Sequence, residues 1–286
     1  MRFLVTRRNE GLGDCLFNLA LLWRFAQDTD RTLVIDWTRH TGYSRDPDEN
    51  VFLKIFENPK DRWDFPVWCQ ERSYERSYEG LPTSKHVFNK QGVFPLAIAQ
   101  SKVDCIEVNS FLLDHMSFDQ TAGFYKAITL IPTVQKIVDD FADEHFGDRP
   151  VLGIHVRHGD GEKGHFVRHG RVLEKPQQIV DRIVAKARLL QDEQGAEIFL
   201  ATDSLDIYDL IQEQLPDVKF RMGWRPPRNS GGARRAARGT RGDLTKVLYD
   251  AAVDMWLLQR CFGFLQPTWS HFTSYATGMG VPKIAL

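Results

Sequence analysis

Side chains that could bind an anion or transfer a proton are concentrated in residues 151–162, which read VLGIHVRHGDGE. They are His155, Arg157, Asp160 and Glu162. The planar guanidinium of an arginine can hold a phosphate through two parallel hydrogen bonds. An arginine beside a histidine and two carboxylates therefore favours a site for an anionic ligand.

Two other interpretations of this segment stay open. Arg157 could be a solvated loop charge or one half of an ion pair. A metal site is the second alternative, because several potential ligands crowd together. These are His155, His158, Asp160, His165 and His169. No HExxH or paired-cysteine spacing accompanies them, so we expect no metal site.

A buried strand is predicted to position these side chains. Residues 151–156 are apolar or glycine at five of six positions, and three of them are β-branched. Side chains alternate along a strand, so His155 and Arg157 point the same way, beyond the strand end. The polar loop that follows contains two glycines, which allow sharp turning. In open α/β sheets, ligands bind at this end of the strands.

Length and composition exclude several classes of protein. A chain of 286 residues can form one large domain or two modest ones. Its net charge of -1 gives no global signature of nucleic-acid binding. Four cysteines without a CxxC pair favour reduced thiols. No apolar run approaches the ~18 residues of a membrane span, and the amino terminus lacks a signal-peptide core. We therefore expect a cytoplasmic protein without a membrane span.

The first forty residues predict a βαβ unit with a glycine turn after its first strand. Its elements are a strand at 2–6, a helix at 15–28 and a strand at 32–37. In the turn, Gly11 and Gly13 precede Asp14, which we expect to cap the helix. Leu16 stands where a dinucleotide-binding fingerprint has its third glycine. The turn is therefore either a phosphate- or sugar-binding loop or an ordinary tight turn.

The rest of the chain changes character near residue 147. Residues 40–118 are rich in aromatics and broken by proline and glycine, so we expect an irregular half-domain there. A helix at 132–145 ends before Gly147, which suggests domains at 1–147 and 148–286. Beyond it strands and helices alternate, which predicts a mostly parallel sheet covered on both faces. The strands are expected at 151–156, 197–201, 218–220 and 262–265, and the helices at 176–192, 205–215, 244–260 and 271–277.

An arginine-rich segment, residues 221–242, interrupts this alternation with seven arginines and no acidic residue. It holds too little apolar surface to order itself, so we expect a flexible solvated loop. A mobile lid that attracts an anionic ligand is the functional alternative. RNA binding by the segment has no support elsewhere in the chain.

Three further polar residues are candidates for a ligand site. Asp203 follows a predicted strand, where a ligand crevice is expected, although Asp203 or Ser204 could instead cap the next helix. Asp254 lies inside an apolar helix, where an unpaired carboxylate is costly, so it needs a protein or ligand partner. Ser270 begins the last helix and could offer its hydroxyl and backbone N–H groups to a phosphate.

Four ordered segments resemble the motifs of GDP-fucose-dependent α-1,6-fucosyltransferases, and most of all those of the rhizobial nodulation fucosyltransferases. They are GLGDCLFNLALLWRFAQ, GIHVRHGDGE, LATDS, and DMWLLQRC followed by a serine-containing helix start. Eukaryotic core and protein-O-fucosyltransferases are similar at a greater distance. The segments lie in both halves of the chain in the family's order, whereas residues 40–120 contribute little.

This resemblance implies an α/β fold of the GT-B class, with two Rossmann-like domains facing across a cleft and the donor mainly on the second. It implies inverting transfer from GDP-fucose without a cofactor or a metal. By that match Arg157 grips the β-phosphate of the donor, and His155 contacts its ribose or a phosphate. Asp203 and Asp254 would hold the guanine or the ribose, and Ser270 a phosphate.

The resemblance is less definite about the remaining site residues. It implies that Gly11 and Gly13 let the backbone of the first domain approach the cleft. In the eukaryotic members of the family the general base lies on the loop after the HxR motif. In this chain Asp160 matches an acidic position of the family, and Glu162 is the other nearby candidate. We favour Glu162, because the turn position of Asp160 suits a structural hydrogen bond.

The predicted reaction is transfer of L-fucose to a glycan, with an α-1,6 linkage to N-acetylglucosamine. A GT-B enzyme that uses another nucleotide sugar is the alternative, and a non-catalytic nucleotide- or glycan-binding protein is a further one. No nucleic-acid partner is expected. The identity of the glycan acceptor stays open.

Overall fold

The computed structural model consists of two compact units, Met1–Ile131 and Pro132–Leu286. The structure describes residues 2–38, 40, 42–59, 67–69, 83–86, 104–108, 121–158, 175–225, 244–267 and 270–286. Within these residues, each unit has a five-stranded sheet whose strands all pair in parallel. The α/β class predicted from the sequence is therefore confirmed in both units.

Unit 1 is built on a sheet with the strand order β3-β2-β1-β5-β4. Its strands are β1 (Phe3–Thr6), β2 (Thr32–Ile35), β3 (Val67–Cys69), β4 (Thr83–His86) and β5 (Cys105–Val108). Its helices are α1 (Leu12–Asp28) and α2 (Ala122–Ala127), with a short 3₁₀ helix at Val51–Lys54. All four residues of β1 are buried, as expected for a central parallel strand with both faces covered.

Three strands that the sequence analysis did not predict, β3, β4 and β5, lie within residues 40–118, where we expected an irregular half-domain. Each of these strands has only three or four residues, too few to show a period. Their partners are also distant in sequence, as in the pairs Leu33–Val67 and Phe3–Cys105. Pairing within the sheet, and not a local pattern, therefore defines them.

Helix α1 begins at Leu12, and its N-cap is Gly11. The prediction that Asp14 caps this helix was wrong. The N–H of Leu12 donates to the hydroxyl of Tyr43 at 3.1 Å, which supplies an acceptor that a capping side chain would otherwise provide. Asp14 lies in the first turn, where its negative charge favours the helix N-terminus. Gly13 is thus inside the helix and not in a turn.

Unit 2 is built on a sheet with the strand order β10-β9-β6-β7-β8. Its strands are β6 (Val151–Val156), β7 (Glu197–Thr202), β8 (Lys219–Phe220), β9 (Gly263–Leu265) and β10 (Lys283–Ile284). Its helices are α3 (Pro132–His145), α4 (Pro176–Gln194), α5 (Leu205–Gln214), α6 (Leu244–Gln259) and α7 (Ser274–Gly278), and a 3₁₀ turn at His271–Thr273 precedes α7. The predicted alternation of strands and helices is confirmed.

Helices cover both faces of the second sheet. On one face, the buried apolar residues of β6 and β7 form a core with α4 and α5 that includes Ile154, Ile183, Leu200 and Ile207. On the other face α6 lies close to β6 at Gly153. A Cβ added to Gly153 would lie 2.9 Å from Cδ2 of Leu258, so a larger residue there would require the packing of α6 on β6 to shift.

Helix α3 is part of unit 2, which begins at Pro132. The expected domains at 1–147 and 148–286 stay a prediction. The rings of Phe141 and Phe146 pack against Phe199 of β7, with centroids 5.8 Å and 5.5 Å away. Asp139 of α3 also forms an ion pair with Arg260, which follows α6. Gly147, with a φ of 53°, lies two residues after the end of this helix.

The order of the second sheet identifies where a ligand is expected. From β6 the chain moves through β7 to β8 on one side, and β9 and β10 lie on the other side. The strand order therefore reverses between β6 and β9. In open α/β sheets the carboxyl ends of strands at such a reversal form the ligand crevice. The residues that follow β6, β7 and β9 are therefore expected to line it.

Among the helices that the structure describes, none combines the length and the apolar composition of a membrane span.

Candidate functional site

His155 is held in a defined orientation near the end of β6. Its Nδ1 lies 3.2 Å from the backbone oxygen of Ala201 in β7, and its ring stacks on Phe272 with centroids 4.7 Å apart. A carbonyl oxygen can only accept a hydrogen bond, so Nδ1 carries the hydrogen and Nε2 carries a lone pair. Nε2 is buried and has no partner among the described residues. It can therefore accept a hydrogen bond from a ligand.

The imidazole of His155 is neutral at physiological pH. Burial lowers its pKa to about 4, although the carboxylate of Asp203 and the carbonyl of Ala201 act in the opposite direction. The positive charge of Arg157 adds to the lowering. A neutral acceptor is suited to a hydroxyl or N–H group of a ligand.

Arg157 follows β6 and is one half of an ion pair. Its Nη1 lies 3.2 Å from Oδ2 of Asp203, which follows β7. The other oxygen of Asp203, Oδ1, accepts a hydrogen bond of 2.8 Å from the backbone N–H of His158. One carboxylate thus fixes both the guanidinium and the start of the loop after β6. The five N–H donors of a guanidinium lie in one plane, and this geometry suits the oxygens of an anion.

Ser204, and not Asp203, caps the helix that follows β7. The side chain of Ser204 accepts a hydrogen bond from the backbone N–H of Ile207 at the start of α5. Thr202 donates its hydroxyl hydrogen to the backbone oxygen of Val156 at 2.9 Å, which joins the ends of β6 and β7. Asp203 is therefore available to Arg157.

Ser270 lies at the start of the 3₁₀ turn after β9, as predicted. Its hydroxyl accepts a hydrogen bond of 3.1 Å from the backbone N–H of Phe272. Gln266 orders the same turn, because its amide donates to the backbone oxygen of Ser270 and accepts from the hydroxyl of Thr273, both at 3.0 Å. Gln266 and Phe272 are site residues that the sequence analysis missed. A polar residue directly after β9 was the available signal for Gln266.

Asp254 has two protein partners. Its Oδ1 accepts from Nε of Arg221 at 3.1 Å, and its Oδ2 accepts from Nη2 of Arg225 at 2.7 Å. Asp250, one turn earlier on α6, accepts from Nη1 of Arg221 at 2.6 Å. The partner that the sequence required for Asp254 is therefore arginine. Its contact with guanine or ribose stays a prediction.

We expected a flexible loop at residues 221–242, and this expectation was wrong for residues 221–225. The ion pairs of Arg221 and Arg225 anchor these residues to α6. The segment holds no acid of its own, but its carboxylate partners lie 29 and 33 residues later in the chain. Local composition cannot reveal such partners. Residues 226–242 lie outside the described part of the chain.

The described residues give no structural reason for a glycine at position 11. The φ of Gly11 is -63°, which any residue adopts, and a Cβ added there would make an ordinary contact of 3.6 Å with Asp14. Gly13 is buried within α1. The approach of both glycines to a ligand stays a prediction. Asp160 and Glu162, the candidate bases, lie outside the described residues.

The described ranges contain no group of three or more His, Cys, Asp or Glu side chains that could hold a metal ion. The expectation of a site without metal stays a prediction.

Comparison with known families adds to this geometry. The family model for Nodulation protein Z (NodZ) matches residues 1–95 and 96–284. The chain belongs to the NodZ family. It is 32% identical over 299 aligned positions to Nodulation protein Z of Bradyrhizobium diazoefficiens, which covers 96% of this chain and 78% of the relative. It is 30% identical to that of Sinorhizobium fredii, over 99% of this chain and 92% of the relative. The predicted family resemblance is confirmed.

Solved structures of NodZ are also similar in fold. The chain superimposes on the NodZ α-1,6-fucosyltransferase soaked with GDP-fucose with a TM-score of 0.70, at 28% identity over 97% of this chain and 92% of that one. It is similar in fold to POFUT1 in complex with GDP, with a TM-score of 0.60 at 13% identity over 99% and 96% of the two chains. The GT-B class predicted for this chain is confirmed.

Proposed function

We propose that this protein is an inverting glycosyltransferase that moves L-fucose from GDP-fucose to a glycan. Membership of the NodZ family supports the proposal, because a NodZ structure at 28% identity is an α-1,6-fucosyltransferase soaked with GDP-fucose. The observation that carries it is the position of Arg157, which Asp203 holds at the carboxyl end of the central strand β6.

Departure of GDP places growing negative charge on the β-phosphate. In the proposed mechanism Arg157 stabilises this charge, because a fixed guanidinium needs little reorganisation as the bond breaks. Arg157 can donate several hydrogen bonds in one plane, which suits the oxygens of a phosphate. Ser270 is proposed to contact a phosphate with its hydroxyl or with the neighbouring backbone.

His155 is proposed to contact the ribose and not a phosphate. Its Nε2 is an acceptor, and an ionised phosphate has no hydrogen to donate, whereas a ribose hydroxyl has one. The sequence left both partners open, and the neutral state of the imidazole favours the ribose. Asp254 is proposed to hold the guanine or the ribose, together with Asp203.

A general base takes the proton of the acceptor hydroxyl as the fucose is transferred. Glu162 is the proposed general base, with Asp160 as the alternative on the same loop. Gly11 and Gly13 are proposed to leave room for the backbone of unit 1 to approach a ligand. No metal or other cofactor has a role in this mechanism.

The acceptor is proposed to be an oligosaccharide that presents N-acetylglucosamine, with fucose added in α-1,6 linkage. We also propose that the protein acts in the cytoplasm. The four cysteines are all buried free thiols, which is consistent with a reducing compartment.

A donor panel tests the proposed function. Thermal unfolding is measured with GDP, UDP, ADP and their sugar derivatives, each at matched concentrations. A ligand at ~100 times its Kd stabilises the fold by about 2.7 kcal/mol. GDP and GDP-fucose should raise the Tm, and the other nucleotides should not. Stabilisation by UDP-sugars alone would identify a glycosyltransferase with a different donor.

A further inference from the structure

Two arginines that the proposed function does not use are buried at the edge of the second sheet where the site lies. Arg221 follows β8 directly, and Arg225 lies four residues later. Their side chains are only 13% and 7% exposed. A buried guanidinium is costly unless it is paired, so the carboxylates that face it are needed to offset its charge. Those acids are Asp250 and Asp254 on α6.

Arg221 joins both carboxylates. Its Nη1 donates to Oδ1 of Asp250 at 2.6 Å, its Nε donates to Oδ1 of Asp254 at 3.1 Å, and its Nη2 donates to the backbone oxygen of Asp250 at 2.8 Å. Burial alone would lower the pKa of Arg221, but the carboxylates of Asp254 and Asp250 raise it overall. This guanidinium is charged at every working pH and bridges two acids one helical turn apart.

Arg225 completes the arrangement from the other side of Asp254. Its Nη2 donates to Oδ2 of Asp254 at 2.7 Å, and its guanidinium lies 5.0 Å from the ring centroid of Phe220. Within the described part of the chain, Nε of Arg225 is buried without an acceptor. A buried donor without an acceptor is unfavourable, and a ligand oxygen would satisfy it.

The backbone between the two arginines is fitted to this cluster. The N–H of Trp224 donates to Oδ2 of Asp250. A Cβ added to Gly223 would lie 2.7 Å from Cγ of Asp250 and 2.8 Å from Nη2 of Arg221. Only glycine lets the chain lie against the ion pair here. Specific contacts with α6 therefore hold residues 221–225 in place, although Met222 between the two arginines is 75% exposed.

We infer that Arg221 and Arg225 are positioning residues for donor binding, which fix the carboxylate of Asp254 toward the nucleoside. The inference rests on the proposed function. A carboxylate has about four acceptor positions, and the two arginines use one on each oxygen. The others can accept from an N–H of guanine or an O–H of ribose. Nε of Arg225 supplies a donor beside this acceptor.

The positions of Asp250 and Asp254 along α6, relative to the carboxyl edge of the sheet, agree with this role. Helix α6 ends at Gln259 and the chain then enters β9, so the helix runs antiparallel to that strand. At ~1.5 Å per residue, Asp254 lies roughly 7 Å and Asp250 roughly 13 Å back along the helix from its end. A strand of three residues rises about 10 Å. Both acids are therefore near the carboxyl edge of the sheet, where Arg157 and Ser270 also lie.

Binding of three nucleotides tests the inference without any need for turnover. GDP is compared with IDP, which lacks the 2-amino group of guanine, and with 2′-deoxy-GDP, which lacks a ribose hydroxyl. Dissociation constants are measured by calorimetry for the wild type and for Arg221→Lys, which keeps the charge but cannot bridge two carboxylates. The matched control is Arg149→Lys. Arg149 forms an exposed ion pair with Glu197 where β6 and β7 begin, at the opposite edge of the same sheet.

The wild type should prefer GDP to one of the two analogues by about tenfold or more, as expected for loss of one hydrogen bond to a charged group. Arg221→Lys should bind GDP about tenfold more weakly and lose most of that preference. Loss of preference against IDP assigns Asp254 to guanine, and loss against 2′-deoxy-GDP assigns it to ribose. Arg149→Lys should keep the wild-type values.

A second variant protects the test against simple misfolding. Gly223→Ala retains every charge but forces the backbone away from Asp250, so it should reduce the same preference. If either variant folds, by circular dichroism, and keeps the wild-type preference, the inference is overturned. It is also overturned if the wild type does not distinguish GDP from either analogue. Neither result bears on whether GDP-fucose is turned over, which is measured separately.

Discussion

Nη1 of Arg157 lies 3.2 Å from Oδ2 of Asp203, so the residue after β6 is ion-paired with the residue after β7. The pair spans two hydrogen-bonded strands at the edge of the sheet where ligands are expected. A guanidinium held in this way loses less conformational freedom when it binds a phosphate than a solvated one does. The ion pair and a catalytic role for Arg157 are therefore compatible.

Arg157→Lys should keep the fold and lose most of the fucosyl transfer. Loss of one positioned donor to a transition state typically costs about 10²–10³ in rate, and lysine cannot reproduce the planar fork. Turnover of GDP-fucose is measured at saturating donor, with circular dichroism as the check on folding. Arg149→Lys, at the opposite edge of the sheet, is the control and should be fully active. If the Arg157→Lys variant turns over GDP-fucose near the wild-type rate, Arg157 does not stabilise the transition state as proposed.

The neutral state of His155 predicts a pH dependence of stability. Its pKa is about 4 in the folded protein against an ordinary value of 6.5. Between these values the unfolded chain binds a proton that the folded chain does not, so the free energy of unfolding falls as the pH falls from 6.5 to 4. The loss from this group is roughly 3 kcal/mol at the acid end. Above pH 6.5 the group contributes no further change.

Urea unfolding at a series of pH values measures this effect, with His155→Asn as the reference. The asparagine amide can still donate to the carbonyl of Ala201, but it does not titrate. The stability of the wild type relative to His155→Asn should therefore decrease between pH 6.5 and 4. A difference that stays constant across this range would show that the histidine is not kept neutral by the fold.

Removal of divalent metal should leave transfer unchanged. The proposed mechanism assigns the stabilisation of charge on the β-phosphate to Arg157. The Asp-x-Asp pairs of the sequence, at 28/30 and 46/48, lie in unit 1 and not in unit 2 with Arg157. Transfer rates are compared before and after dialysis against EDTA, with added Mn²⁺ and Mg²⁺ as controls. Activity that is abolished by EDTA and restored by Mn²⁺ would point to a metal-bridged diphosphate instead.

Glu162→Gln should retain GDP-fucose binding, lose most of the transfer and flatten the acidic limb of the pH–rate profile of the residual activity. These effects are expected of a general base whose pKa lies near the working pH. Asp160→Asn is the matched variant and should remain active. The reverse result would exchange the two roles. If both variants stay active, the base lies elsewhere, and His165 is the next residue to test.

Much of unit 2 could be predicted from the sequence. Its strands are apolar runs rich in β-branched residues, its helices have apolar residues at helical spacing, and glycine or proline marks many of their ends. The strand at Val151–Val156 and the helix from Pro176 are examples. The strands β3 to β5 of unit 1 could not be predicted in the same way. They are short, and pairing with distant strands stabilises them more than local propensity does.

The site was predictable to the extent that it follows strand ends. His155, Arg157 and Asp203 lie together because β6 and β7 are neighbours in a parallel sheet. The partners of Asp254 could not be predicted, because the pairing of Arg221 with an acid 33 residues later depends on how α6 crosses the sheet. The composition of the segment predicted a solvated loop, but ion pairs with Asp250 and Asp254 hold Arg221 and Arg225 against α6.

The most direct test of the proposed activity is a transfer assay with GDP-fucose and oligosaccharides of N-acetylglucosamine. Release of GDP is measured together with the fucosylated product, and the linkage is determined by NMR. We expect equimolar GDP and product, an α-1,6 linkage, and no transfer from GDP-mannose or UDP-sugars. Saturable binding of GDP-fucose without release of GDP, with every such acceptor, would contradict the account and indicate a nucleotide-binding protein that is not an enzyme.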